Sequence, residues 1–87
     1  MYSIVNSPKI DAIFKKLSKK NPKQLETITK KLKEITKDPH RFKPLSNIMK
    51  GFRRVHFGSY VLVYSINEKN KTVILEDFDH HDNIYRK

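Results

Sequence analysis

The chain has no cysteine, which excludes disulfides, thiolate metal sites and thiol redox chemistry. It also lacks long apolar runs. The most apolar stretch, around Val61-Leu62-Val63-Tyr64, is far short of the roughly 20 residues that a helix needs to cross a bilayer. No secretory leader pattern opens the sequence, where a basic helix-like pattern starts only after Pro8, so the expected compartment is the cytoplasm, with no membrane partner. Repeats, linkers and low-complexity tracts are missing too, and 87 residues suit one domain, 1–87, with a small core. Acidic residues are scarce: 9 Asp+Glu face 19 Lys+Arg, a formal net charge of +10. Such an excess points to a polyanionic partner. The bland alternative is the lysine-rich surface of a heat-adapted protein, but those surfaces usually balance Lys with Glu.

What is present reads as β-α-α-β-β-β. Tyr2-Ser3-Ile4-Val5 is a short opening strand that must pair within a sheet, since two apolar residues cannot hold it alone. Ser7 and Pro8 give a cap-and-proline helix start, and Ile10, Ile13, Phe14 and Leu17 form one apolar stripe. Asn21-Pro22 repeats the start signal. Leu25, Ile28, Leu32 and Ile35 line the second helix, and Asp38-Pro39 ends it. So short a connection predicts an antiparallel helical hairpin. Residues 40 to 51 read as a loop. Phe52 to Phe57 alternates, with Val55 and Phe57 on one face and Arg54 and His56 on the other. Tyr60 to Ile66 is apolar at nearly every position, as in a central strand buried on both sides. Thr72 to Phe78 is the next strand, and Asp79 to Lys87 a tail or helical turn. The expected fold class is α+β, with three antiparallel strands forming a meander after the hairpin.

The chemistry-bearing residues gather late in the chain. An up-down-up meander sends its first and third strands in the same direction, which brings His56 and the tail residues His80, His81 and Tyr85 to one edge. Imidazoles exchange protons near neutral pH. Cleavage of RNA by its own 2′-hydroxyl needs a base, cations on the phosphorane and an acid for the leaving 5′-oxygen. His81, His56 and Tyr85 are the candidate catalytic set. Arg53, Arg54, Lys43, Lys50, His80 and Arg86 are the candidate phosphate and RNA contacts. Each has a plainer reading: His56 as a half-exposed strand residue, Tyr85 as a packed anchor, Asp77 and Asp79 as caps or partners of Arg53 and Arg54. Lys15-Lys16, Lys19-Lys20 and Lys30-Lys31 read as solvated helix faces, with ribosome or nucleic-acid contact as a diffuse second role. No metal or other cofactor is expected. Neighbouring residues on an extended strand point to opposite faces, so His80 and His81 would not share an ion, and no helical His-x-x-x-His spacing is present.

Several short motifs then fall in a familiar order: Pro44-Leu45, Lys50-Gly51-Phe52-Arg53, His56, Tyr60 to Tyr64, Leu75-Glu76, and His81-x-x-x-Tyr85. With the β-α-α-β-β-β order, they resemble the RelE/ParE superfamily of toxins from type II toxin–antitoxin systems, and most of all its YafQ-like messenger-RNA interferase branch. The architecture covers the whole chain and the motifs residues 44 to 85. The resemblance implies a RelE-like fold and a toxin that cuts messenger RNA in the ribosomal A site, leaving a 2′,3′-cyclic phosphate and a 5′-hydroxyl. It also implies a cognate antitoxin. The branch's active-site positions carry over to His56, His81 and Tyr85, the last usually phenylalanine. Lys43 stands where the branch has a loop histidine, which suggests charge stabilisation instead of proton transfer. The branch's carboxylate at the strand turn has no counterpart at Gly58-Ser59, and Val61 stands where RelE carries arginine. The same fold also serves ParE-like toxins that inhibit DNA gyrase by binding, and a non-catalytic nucleic-acid-binding domain is a third option.

Overall fold

The computed structural model describes residues 1–45 and 51–85. β1 (Ser3–Asn6) leads into α1 (Pro8–Lys20) and α2 (Pro22–Lys37). A 3-10 turn (Pro39–Arg41) precedes β2 (Phe52–Phe57), β3 (Tyr60–Asn67), β4 (Thr72–His80) and α3 (His81–Tyr85). The helices start where the sequence marks them. Ser7 Oγ accepts from the Ile10 amide at 3.2 Å, and Asn21 Oδ1 accepts from the Gln24 amide at 3.2 Å, so each cap satisfies an amide that the helix cannot.

The strands lie in the order β1-β4-β3-β2. β2, β3 and β4 form the antiparallel meander, and β1 pairs with β4 in parallel, from Ser3↔Thr72 to Asn6↔Leu75. β3 is central, and Val61, Leu62, Val63 and Tyr64 are all fully buried.

Each sheet face has its own apolar cluster. Ile10, Ile28 and Ile35 bring the hairpin down onto Val55, Leu62, Tyr64, Val73, Leu75 and Phe78. Burying one such isoleucine stabilises the fold by about 1.5–3 kcal/mol. Leu45 and Ile84 cover Val61 and Val63 on the opposite face, with Phe52 packed alongside. Ile84 is the residue that anchors α3; Tyr85 beside it is exposed.

One irregularity sets the end of the sheet. The β3–β4 register steps from Val63↔Asp77 to Tyr64↔Leu75, so Glu76 is an extra residue in β4. Such a bulge exchanges the faces of every residue after it. Val73 and Leu75 face the hairpin before it, and Phe78 faces the hairpin after it. β4 therefore runs two residues past the predicted end, to His80, which pairs across from Tyr60.

Candidate active site

His56 lies near the end of β2, the edge strand, on the face away from the hairpin. Val55 and Phe57 take the core-facing positions, so alternation turns Arg54 and His56 outward. α3 folds back over this face because Ile84 inserts among Val61, Val63 and Leu45. Its start is pinned twice: the His81 amide donates to the Ser59 carbonyl at 2.8 Å, and Asp79 Oδ1 accepts from Asn83 Nδ2 at 3.1 Å.

The result is a cluster from separate segments. The Tyr85 hydroxyl lies 3.4 Å from His56 Nε2, with ring centroids 6.4 Å apart. The Arg54 guanidinium lies 5.9 Å from the centre of the Tyr85 ring. His56 has its pKa lowered, first by burial, then by the charge of Arg54 and by His81. A ring so placed is neutral near pH 7 and able to accept a proton. His81 Nδ1 sits 3.0 Å from Asp82 Oδ1, a contact that holds the ring through one of its two nitrogens.

Beside His56 an open groove of about 540 Å³ runs around the outer edge of β2. Lys31, Arg41, Phe42, Lys43 and Arg54 line it together with His56. Here cations from α2, the 3-10 turn, the loop and β2 face one space, as a phosphate chain requires. The loop reaches this edge because residues 43–45 pair with β2. The Arg54 amide donates to the Lys43 carbonyl at 3.1 Å, and the Leu45 amide to the Phe52 carbonyl at 2.8 Å.

Of the residues singled out in the sequence, the fold brings together His56, His81, Tyr85, Arg54 and Lys43. Arg53 lies elsewhere. It points to the hairpin side, where Nη1 donates to the Phe42 carbonyl at 2.7 Å and to the His40 carbonyl at 3.3 Å. It shapes the loop that carries Arg41 and Lys43. His80 stands at the end of β4, edge-on to Tyr60 at 5.8 Å. Lys50 and Arg86 lie outside the described residues. Of the two roles expected for Asp77 and Asp79, capping holds for Asp79, whose Oδ1 accepts from the His80 amide at 2.7 Å and from Asn83 at the start of α3. Asp77 is buried and pairs with Lys9 at 3.0 Å.

Sequence reasoning missed Arg41, and did not place Lys31 or Asp82 in this site. Lys31 reads in the sequence as a helix-face lysine, since nothing local shows that it faces the groove beside β2. Asp82 was in plain view next to His81, but its role depends on helical backbone at 81–82.

The chain matches the family described as the ParE toxin of type II toxin–antitoxin systems, parDE, over residues 8–85. It is 52% identical to a putative toxin RelE4 of Methanocaldococcus jannaschii, over 100% of this chain and 94% of that protein. The RelBE2 toxin–antitoxin complex of Mycobacterium tuberculosis contains a chain with a TM-score of 0.78 and 25% identity, over 91% of this chain and 96% of that one. The isolated RelE toxin of E. coli has the same fold, with a TM-score of 0.78 at 18% identity, over 99% of this chain and 98% of that one. By its α+β fold, its motifs and its match along nearly its whole length, this chain belongs to the RelE/ParE superfamily, within the ParE toxin family of type II toxin–antitoxin systems.

Proposed function

We propose that this toxin is a ribosome-dependent messenger-RNA endoribonuclease that cuts in the A site and is held inactive by a cognate antitoxin. The observation that carries the reading is the meeting of His56, His81 and Tyr85 beside a groove lined by Lys31, Arg41, Lys43 and Arg54. His56, kept neutral by burial and by Arg54, takes the 2′-hydroxyl proton. The attacking oxygen closes on the phosphorus, and the groove cations stabilise the charge that builds on its oxygens. His81, oriented through Asp82, returns a proton to the departing 5′-oxygen. Tyr85 offers an exposed ring on which a base of the message stacks, and its hydroxyl steadies His56. An antitoxin partner fits the net charge of +10, since an acidic segment laid over the basic surface would cover the groove. The toxin–antitoxin complexes among the structural relatives support the same reading.

The family description names ParE, so gyrase inhibition by binding is the rival. An inhibitor that only binds has no use for acid–base rings. Cell-free translation with primer-extension mapping of the message separates the two. The proposal expects codon-positioned cuts with the wild type and cuts slowed by about 10²–10⁴-fold with His81→Ala. Intact message with halted supercoiling would move the assignment to gyrase. Activity that tracks Lys and Arg changes but ignores His81→Ala would leave a nucleic-acid-binding domain.

A further inference from the structure

Extended backbone at both His80 and His81 would turn their rings to opposite faces and keep them from sharing an ion. The backbone here is not extended at both: β4 ends at His80 and α3 begins at His81. The change of backbone brings the rings to the same side, with centroids 4.4 Å apart and planes 31° apart. Asp82 then reaches both. Its Oδ1 is 3.0 Å from His81 Nδ1 and its Oδ2 is 3.6 Å from His80 Nδ1. One ligand atom from each of the three residues falls within a 4.8 Å span. Ligands about 2.0–2.2 Å from a tetrahedral zinc ion sit roughly 3.3 Å from one another, and each Nδ1 has one oxygen of the Asp82 carboxylate near that separation, Oδ1 for His81 and Oδ2 for His80.

We propose that His80, His81 and Asp82 bind a divalent ion of the zinc class, and that the bound ion takes His81 out of proton transfer. Two imidazoles and one carboxylate suit zinc, nickel or copper, and do not suit magnesium or calcium, which seek oxygen donors. His80 is held for the task by its edge contact with Tyr60. Its Nδ1 gives up a 3.2 Å hydrogen bond from the Asp82 amide when it takes the ion. Asp79 takes no part, since its carboxylate is engaged by the His80 amide and Asn83. Water fills the remaining position on the exposed side. With Nδ1 on the metal, His81 carries its one proton on Nε2. It has no lone pair to accept a second and is not an imidazolium able to release one readily. The binding claim stands on geometry alone, whereas the inhibition claim rests on the ribonuclease reading.

The test is isothermal titration of tag-free, full-length chain with Zn²⁺, and with Mg²⁺ as the contrast. The proposal expects one saturable Zn²⁺ site per chain, no heat with Mg²⁺, and binding weakened at least about tenfold in both His80→Ala and Asp82→Asn. Circular dichroism confirms that each variant is folded. Absence of a saturable site, or unchanged affinity in the two folded variants, overturns it. In the cleavage assay, the concentration of Zn²⁺ that halves the rate should rise at least about tenfold in Asp82→Asn relative to the wild type. Wild-type cleavage that persists with the calorimetric site filled overturns the inhibition claim. A chain that binds Zn²⁺ but cuts nothing at any zinc level contradicts the ribonuclease reading and leaves the site standing.

Discussion

At the scale of single residues, the proposed chemistry depends on how neighbours set His56. Burial is the larger cause of its lowered pKa, and the Arg54 charge adds to it. A base works only when neutral, so cleavage should fall as pH drops through the lowered His56 pKa, which puts the acid limb below the ordinary value of 6.5. Arg54→Gln removes one of the lowering charges. The limb should then move to higher pH, read from cleavage rates in buffers of constant ionic strength. Because burial remains, the move is partial. Tyr85 separates into a ring and a hydroxyl. Its hydrogen bond to His56 is long, at 3.4 Å, and a typical bond contributes about 0.5–1.5 kcal/mol net. Tyr85→Phe should therefore cost at most about tenfold in rate. Tyr85→Ala also removes the stacking face, and should cost more in the same assay.

At the scale of elements, the two helices, β2 and β3 were legible because their signals are local. Ser7-Pro8, Asn21-Pro22 and Asp38-Pro39 punctuate the helices, and apolar periods of 3.6 and 2 mark the core faces. The alternation that puts Arg54 and His56 on one face was readable for the same reason. β4 was harder. Its core positions Val73, Leu75 and Phe78 break the two-residue period, which is the trace of the bulge at Glu76, and the predicted strand stops at Phe78, two residues before the observed end at His80. The same alternation turns Arg53 to the Val55 face; which carbonyls it meets there depends on the loop's path, which is not written in the loop's own residues. The turn at Pro39–Arg41 is held in a similar way. The buried Tyr64 hydroxyl donates to the Pro39 carbonyl, and burial pushes its pKa up to about 12. Tyr64→Phe keeps the ring but strips that carbonyl of its donor. Equilibrium urea unfolding should register a loss of about 1–3 kcal/mol. Arg41 closes this turn and Lys43 follows it, so groove geometry and core packing are coupled through it.

At the scale of the whole molecule, two properties act together: a positive surface and a fold that carries four cations to one edge. Net charge alone attracts any polyanion, but the groove should show itself in the salt dependence. With Lys31, Arg41, Lys43 and Arg54 on phosphates, the log–log slope of single-stranded RNA affinity against salt should be on the order of −3. Arg54→Ala should make it shallower by about 0.7. Fluorescence anisotropy at several salt concentrations gives both numbers, and an unchanged slope would place RNA away from the groove. None of the described helices is long and apolar enough to cross a membrane. The central claim is that histidines from β2 and α3 serve one reaction, and groups acting as a unit show losses that do not multiply. The most direct measurement is the rate of message cleavage on programmed ribosomes with wild type, His56→Ala, His81→Ala and the double variant. Each single variant should slow the cut by about 10²–10⁴, and the double variant should be little slower than the worse of the two. Cleavage at the wild-type rate by either single variant would contradict the account.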